Sequence, residues 1–161
     1  PVSYTLPGNP FGFAAHVVVV EVNQGTGEIR FIRYAAVHDC GRLINPMIVE
    51  GQIHGAIAQG IGEALGEGMV YSPEGQPLTS SLMEYAVPAA EDMPTILLDM
   101  VETPSPTNPL EIKGIGELPT VAAPVAIANA VMDALSDTEV GHLDLPLTTE
   151  KVWQALQRKH P

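Results

Sequence analysis

The sequence predicts an α+β domain in which β-hairpins and a mixed sheet pack against about three helices. Three observations carry this prediction: a valine-rich β pattern broken by a turn, two long apolar segments with helical periodicity, and a short amphipathic segment near the end. A chain of 161 residues has the length of one ordinary domain. Residues 1–161 are therefore expected to form a single domain.

The first predicted elements are the two strands of a hairpin. FAAHVVVVEVN, residues 13–23, is rich in valine, NQGTGE has turn composition, and IRFIRYAAVHD, residues 29–39, resumes the β pattern. DCGRLINP follows as a loop of turn-forming residues. A helix is expected over residues 49–67, although it holds five glycines that each weaken a helix by up to about 1 kcal/mol relative to alanine. MVYSPEGQPLT, residues 69–79, predicts a second hairpin that turns at SPEGQ.

The second half of the chain predicts one more strand, a long loop and two helices. TILLDMVE, residues 95–102, has a strand pattern. TPSPTNPLEIKGIGELP, residues 103–119, has no regular pattern, and a loop of this length in a compact domain is usually functional or disordered. Helices are expected over residues 120–135 and in the final segment LDLPLTTEKVWQALQ, where Thr148 has the position of an N-cap.

The charge of the chain argues against two classes of partner. Seven basic residues against nineteen acidic ones give a formal net charge of −12. A surface this acidic repels the phosphates of nucleic acids and of anionic membranes. No apolar run approaches the roughly 20 residues of a membrane-spanning helix. We therefore expect neither a nucleic-acid partner nor insertion into a membrane.

The titratable residues show no pattern of metal ligands. Cys40 is the only cysteine, so neither an internal disulfide nor a cluster of thiolate ligands is expected. The histidines, at positions 16, 38, 54, 142 and 160, do not have the spacing of a metal site. The first ten residues, PVSYTLPGNP, lack the basic and apolar regions of a signal peptide, so the cytoplasm is the expected location.

Glu117 is an unusual acid at the start of an almost uncharged helix, after the glycine-rich stretch KGIG. A phosphate-binding loop does not fit, because GK[ST] is absent and a carboxylate repels a phosphate at a helix start. An acid at this end interacts favourably with the helix dipole by roughly a few tenths of a kcal/mol, but this does not explain the two glycines and four prolines of residues 103–119. A general base on a rigid turn with apolar neighbours would explain the acid as well as the glycines and prolines around it. Residues 110–119 alone leave the structural and the catalytic role open.

A second candidate site lies in the predicted helix of residues 49–67. Gln52, Ala56, Gln59 and Glu63 are spaced so that they lie along one stripe of that helix. Glutamine offers a hydrogen-bond donor and an acceptor without charge, which suits the edge of a heteroaromatic ring or an oxo group. A solvated helix face, or a close helix–helix contact through the glycines, explains the same pattern. The stripe by itself does not decide between these alternatives.

Three segments together resemble a known family. VHDCGRLINPMIVEGQIHGAIAQGIGEAL, TPSPTNPLEIKGIGE and VAAPVAIANAVMDAL are similar to the C-terminal molybdenum-cofactor-binding domain of the molybdenum hydroxylases. This family contains xanthine dehydrogenase, aldehyde oxidase and the large subunit of aerobic carbon monoxide dehydrogenase. The resemblance extends over residues 13–156 and implies the fold of the second molybdopterin-binding domain. The GQ…QGIG helix followed by a KGxGE loop is a much more specific signal than either motif alone.

The resemblance also implies roles for the matching residues. Glu117 matches the catalytic glutamate, a general base at a molybdenum centre where oxygen derived from water is inserted into an aldehyde, an N-heterocycle or carbon monoxide. The residues expected to contact the pterin cofactor are Gln52, Ala56, Gln59, Gly60, Lys113, Gly114, Ile115 and Gly116. The implied cofactor is molybdopterin in its cytosine dinucleotide form, whose dithiolene sulfurs hold the metal, so no residue of the chain is expected to bind molybdenum. The 2Fe-2S clusters and FAD are expected on other domains or subunits.

The large subunits of this family are several times longer than this chain. We therefore expect a fragment of a large subunit, or a partner chain that meets the rest of one, together with iron–sulfur and flavin subunits and a small-molecule substrate. A pocket built between domains loses its enclosure when one domain is missing, so the isolated chain is expected to be inactive. The alternatives are a non-catalytic module of the same fold that binds a cofactor or a partner, and a structural assembly domain.

Overall fold

The predicted hairpin forms one side of a three-stranded sheet. The computed structural model describes residues 3, 5 and 8–158. Strand β1 (Phe13–Val22) pairs antiparallel with β2 (Ile29–Asp39), with Phe13 opposite Asp39 and Val22 opposite Ile29. His160 and most of the first seven residues, on which the expectation about a signal peptide rests, lie outside the described residues.

The third strand makes the sheet mixed. Strand β3 (Ile96–Met100) pairs in parallel with β2, with Tyr34 opposite Ile96, so the strand order is β1-β2-β3. Three α-helices complete the described part of the chain: α1 (Pro46–Leu65), α2 (Leu118–Ala134) and α3 (Thr149–Gln157). The predicted α+β fold with a mixed sheet and about three helices is confirmed.

The start of α1 differs from the prediction. The helix begins three residues earlier, because the side chain of Asn45 accepts a hydrogen bond from the amide of Ile48 at 3.2 Å and Pro46 occupies the first turn. Proline suits this position, since its missing N–H would have no partner inside the helix. Helix α2 likewise begins at Leu118, with Pro119 in its first turn. Thr148 caps α3 as predicted, through a 3.2 Å hydrogen bond from the amide of Lys151.

The second predicted hairpin is reduced to a single β-bridge between Tyr71 and Pro77. The amide of Ser72 donates to the carbonyl of Gln76 at 2.8 Å across the predicted turn. Proline has no amide hydrogen, so Pro77 cannot extend the pairing into a ladder. A short 3₁₀ helix (Ala90–Asp92), which the sequence did not indicate, follows this segment.

Helices α1 and α2 contact each other, and α2 lies against β1, so the core forms on one face of the sheet. Tyr34 from the sheet, Ile57 from α1 and Ile127 from α2 are completely buried in it. The opposite face of the sheet is open: the side chains of Phe13 and Val17 are 67% and 65% exposed. Among the described residues, no helix combines the length and the apolar character that a membrane crossing requires.

Candidate functional site

The glutamine stripe of α1 meets the start of α2. A Cβ added at Gly116 would lie 3.5 Å from Oε1 of Gln52, which places the two segments in contact. The hydroxyl of Thr120 donates to the carbonyl of Ala56 at 3.1 Å and lies 3.4 Å from Oε1 of Gln59. The fold therefore brings together two segments that the sequence singled out separately.

Glu117 is the residue immediately before α2. It occupies the N-cap position with helical backbone angles (φ −118°, ψ −3°), and its side chain makes no capping hydrogen bond. Its carbonyl oxygen accepts a hydrogen bond from the amide of Thr120 at 3.2 Å. The side chain is exposed, so the carboxylate is open to a ligand at the side of α1 that carries Gln52.

The glycines that precede Glu117 present bare backbone. Gly114 and Gly116 are exposed, and a Cβ added at Gly114 would meet no atom within 4 Å. Ile115, between them, is half-buried and packs against the core. One apolar side chain thus fixes the loop from inside, while the peptide groups on either side of it remain accessible.

Four of the predicted cofactor residues turn inward, one of them the half-buried Ile115. Ala56 is buried, and a Cβ added at Gly60 would lie 2.6 Å from Cβ of Ala123, so both residues belong to the contact between α1 and α2. The ammonium of Lys113 lies 3.0 Å from Oδ2 of Asp39, and both side chains are almost completely buried. Gln52, Gln59, Gly114 and Gly116 are exposed. Contact with a cofactor remains a prediction for all eight residues.

Asp39, which the sequence analysis treated only as a turn former, has the most hydrogen-bond partners near the site. Its Oδ1 accepts from the amides of Gly41 at 2.8 Å and Thr103 at 3.2 Å, and its Oδ2 accepts from Lys113. Burial by itself raises the pKa of Asp39, but the hydrogen bonds from Thr103, Gly41 and Lys113 hold that pKa well below its usual range. The carboxylate is therefore charged at neutral pH.

Backbone pairing fixes the same loop a second time. Gly41 forms an isolated β-bridge with Ile112, the amide of Arg42 donates to the carbonyl of Glu111 at 3.1 Å, and the amide of Lys113 donates to the carbonyl of Cys40 at 2.7 Å. Gly41 has φ +70°, and a Cβ there would lie 2.3 Å from the carbonyl oxygen of Glu111. Glycine is the residue that adopts this conformation without strain.

Gly12 and Thr120 also contact the site, and no motif in the sequence indicated either residue. A Cβ at Gly12 would lie 2.7 Å from a methyl group of Leu118 and 2.9 Å from the carbonyl oxygen of Gly114. The contacts of Gly12 and the hydrogen bond from Thr120 to Ala56 each join residues more than 60 positions apart. No local sequence pattern indicates contacts of this kind.

One buried and one half-buried histidine, His38 and His16, lie on the core side of the sheet beside the site. Nε2 of His16 and Nε2 of His38 are 3.1 Å apart, and Nδ1 of His16 is 2.9 Å from the hydroxyl of Tyr34. Among the described residues, Nδ1 of His38 has no hydrogen-bond partner. Burial lowers the pKa of His38 to about 4, with a contribution from His16, whose own pKa is also lowered by burial. His54 is exposed on α1, with Nδ1 2.9 Å from the carbonyl of Glu50.

Comparisons with known proteins show to which family the chain is similar. A family model described as a molybdopterin cofactor-binding domain matches residues 3–94. Over 154 residues the chain is 39% identical to the carbon monoxide dehydrogenase large chain of Hydrogenophaga pseudoflava. The matched region covers 96% of this chain and 19% of that relative. The chain is 41% identical over 150 residues to subunit gamma of the 6-hydroxypseudooxynicotine dehydrogenase complex of Paenarthrobacter nicotinovorans. This match covers 92% of the chain and 18% of the subunit.

The fold is also that of solved relatives. The crystal structure of quinoline 2-oxidoreductase from Pseudomonas putida 86 superposes with a TM-score of 0.86 at 44% identity, over 90% of this chain and 18% of that one. The chain belongs to the molybdenum-cofactor-binding domains of the molybdenum hydroxylase family, which confirms the resemblance seen in the sequence. It spans about a fifth of the length of the curated relatives it matches.

Proposed function

We propose that this chain is the C-terminal cofactor-binding part of a molybdenum hydroxylase large subunit, with Glu117 as the general base of the reaction. The proposed reaction hydroxylates an aldehyde, an N-heterocycle or carbon monoxide with oxygen derived from water. One observation carries the proposal: Gln52 of α1 and Gly116, next to Glu117, lie close together although 63 residues separate them in sequence.

The exposed groups of the site fit a molybdopterin. Gly114 and Gly116 offer accessible peptide groups, and the amides of Gln52 and Gln59 offer uncharged donors and acceptors for a pterin edge. Among the residues that the structure describes, no group of three or more histidine, cysteine or acidic side chains could hold a metal ion. Molybdenum held by the dithiolene of the pterin, in its cytosine dinucleotide form, would not need such a group.

When bound, the molybdenum cofactor supplies the two-electron oxidation of the substrate. The part of this chain is to bind the cofactor and to move a proton. A carboxylate oxygen of Glu117 takes the proton of the water-derived oxygen, and general-base catalysis of this kind contributes about 10²–10⁴-fold to a rate. The amide of Gln52 orients the bound group beside this carboxylate.

The exposure of Glu117 implies that another part of the enzyme closes the pocket. The relatives are described as a large chain and as one subunit of a complex, and this chain corresponds to a fifth of their length. We propose that the rest of the large subunit, in the same polypeptide or in a separate one, encloses the substrate, and that iron–sulfur and flavin groups elsewhere in a cytoplasmic complex remove the electrons. The isolated chain then has no turnover of its own.

Native mass spectrometry of the protein purified from its source, with molybdenum counted per chain, tests this function. We expect one molybdenum and one pterin dinucleotide for each copy of this sequence, together with the polypeptide that completes the large subunit. Turnover of aldehydes, N-heterocycles or carbon monoxide by the same sample then identifies the substrate class. A complete, folded protein that binds no pterin after reconstitution would contradict the proposal.

Gln52→Ala separates cofactor binding from the structural alternative, in which α1 serves only to pack against a neighbouring helix. Because Gln52 is exposed beside Gly116, we expect the variant to retain at least about tenfold less cofactor, the effect of losing one or two good hydrogen bonds. His54→Gln, on the same helix, is the control and is expected to retain the cofactor. An unchanged molybdenum content with altered assembly would favour the structural role.

A further inference from the structure

We infer that Asp39 and Lys113 are positioning residues, whose buried ion pair fixes the loop that carries Glu117. The inference rests on the proposed function, because it concerns the placement of the proposed base. It gives Lys113 a role different from the direct cofactor contact that the family resemblance implies.

The carboxylate of Asp39 joins three separate parts of the chain. Its Oδ2 accepts from Nζ of Lys113 at 3.0 Å, and its Oδ1 accepts from the amide of Thr103, in the segment after β3, and from the amide of Gly41, directly after β2. The ammonium of Lys113 also lies 5.2 Å from the ring centroid of Phe13, the first residue of β1. The ion pair therefore ties the site loop to β1, to β2 and to the segment that follows β3.

The charge of Lys113 is directed into the protein. Its side chain is 7% exposed and that of Asp39 is 11% exposed. An ammonium paired with a carboxylate at this depth is not presented to an anionic cofactor on the surface. Its effect on the site must therefore pass through the backbone of residues 113–117.

The loop beyond Lys113 has few other restraints. Gly114 and Gly116 have no side chains to pack, and glycine permits more backbone conformations than any other residue. Only the half-buried Ile115 packs against the core before α2 begins. The ion pair fixes one end of this short stretch and the first turn of α2 fixes the other, so both ends of the segment that carries Glu117 are held.

Single and double variants can test the ion pair of Asp39 and Lys113 separately from other contacts of the loop. Removing one partner leaves an uncompensated buried charge, which costs far more than replacing both partners by neutral groups. Asp39→Asn and Lys113→Met should each loosen the loop, and the double variant Asp39→Asn/Lys113→Met should loosen it less than the sum of the two. Glu21→Gln breaks the exposed pair between Glu21 and Arg30 and serves as the matched control.

Hydrogen exchange and turnover should be measured on the purified protein that contains this chain. We expect each single variant to speed amide exchange in residues 103–117 by about 100-fold or more relative to β1 and β2, as loss of one partner of a buried pair predicts. The kcat per bound molybdenum should fall in both single variants. If a single variant does not fold, the neutral double variant tests the same point: it should fold, with faster exchange in residues 103–117 than the unmodified protein and a lower kcat per molybdenum.

Three results would overturn the inference. If amide exchange in residues 103–117 is as slow in every variant as in the Glu21→Gln control, the ion pair does not anchor the loop. Loss of cofactor in Lys113→Met but not in Asp39→Asn makes Lys113 a direct ligand. Faster exchange with an unchanged kcat per molybdenum leaves the pair a structural role only. The exchange result stands whether or not Glu117 is the base, so failure of the proposed function remains distinguishable.

Discussion

Residues 101–117 and residues 66–95 both lack long regular elements, but the rest of the chain holds them in different ways. The first segment is fixed by contacts with the end of β2: the buried pair of Asp39 and Lys113, and the bridge between Gly41 and Ile112. These contacts join residues about 70 positions apart. They also place Glu117 and the exposed glycines beside α1.

The second segment is held mainly by contacts within itself. The carbonyl of Gln76 accepts from the amide of Ser72 at 2.8 Å, and the amide of Val70 donates to the hydroxyl of Thr79 at 3.0 Å. A longer contact, from the hydroxyl of Tyr85 to Glu67 at 2.9 Å, still spans only 18 residues.

This difference in contacts distinguishes the candidate site segment, residues 101–117, from the connecting segment, residues 66–95. A catalytic group needs a fixed position relative to its ligand, and buried long-range contacts provide this position. Segment 66–95 instead exposes large apolar side chains, with Leu82 at 83% and Met83 at 94%. Changes at the anchors of the first segment should therefore cost much more than matched changes in the second.

The largest expected difference is between two glycines with positive φ. Gly41→Ala places a Cβ 2.3 Å from the carbonyl oxygen of Glu111, whereas Gly75→Ala, at φ +85°, meets no atom within 4 Å. We expect Gly41→Ala to lower the free energy of unfolding by at least about 2 kcal/mol and Gly75→Ala to lower it by about 1 kcal/mol, the cost of the left-handed conformation alone. Urea denaturation measures both. Equal losses would show that the bridge to Glu111 and Ile112 contributes nothing.

Acid should lower the free energy of unfolding through His38 and His16, which lie on the core side of the sheet. The pKa of His38 is about 4 in the folded protein and about 6.5 when unfolded, so the unfolded chain binds the extra proton first. The stabilisation is complete well above pH 6.5 and is lost as the pH falls through 6.5 towards 4, by about 1.2 kcal/mol between pH 6 and pH 5. His16, whose pKa is also lowered, adds to this slope.

Denaturation at several pH values measures that slope. His38→Gln should flatten it, and His54→Gln, at an exposed position of α1, should leave it as it is. The same slope in both variants would contradict the assignment of the slope to His38 and His16.

The smallest effect is expected at the exposed apolar residues of segment 66–95. Leu82→Ser and Met83→Ser should each change the free energy of unfolding by less than about 0.5 kcal/mol, because neither side chain is buried in this chain. Thermal unfolding of the isolated chain measures this. A loss above about 1 kcal/mol would show that this segment packs more closely than its exposure indicates.

The sequence predicted those features that depend on local pattern. Valine-rich strands around a turn gave the hairpin, helical spacing put Gln52 and Gln59 on one stripe, and a threonine before an amphipathic run identified the cap at Thr148. The start of α1 was wrong because Pro46 and Asn45 suit a turn and a helix start equally well. The second hairpin was wrong in extent because Pro77 cannot donate to a ladder.

The anchors of the site could not be predicted from local pattern. Asp39 reads as one more turn former until the fold brings Lys113, 74 positions away, to its carboxylate. Thr120 and Gly12 likewise acquire their contacts only in the folded chain. Long-range pairing also decides that β3 lies parallel to β2, which no pattern within residues 95–102 indicates.

We propose that Glu117 acts as a base at a molybdenum centre. The most direct measurement is kcat of the assembled enzyme carrying Glu117→Gln, with molybdenum counted on the same sample and Glu111→Gln, an exposed acid of the same loop, as control. We predict that kcat falls by about 10²-fold or more in Glu117→Gln at unchanged molybdenum content, while the control retains full turnover. Unchanged turnover in Glu117→Gln with the cofactor in place would contradict the account and make this domain a binding module only.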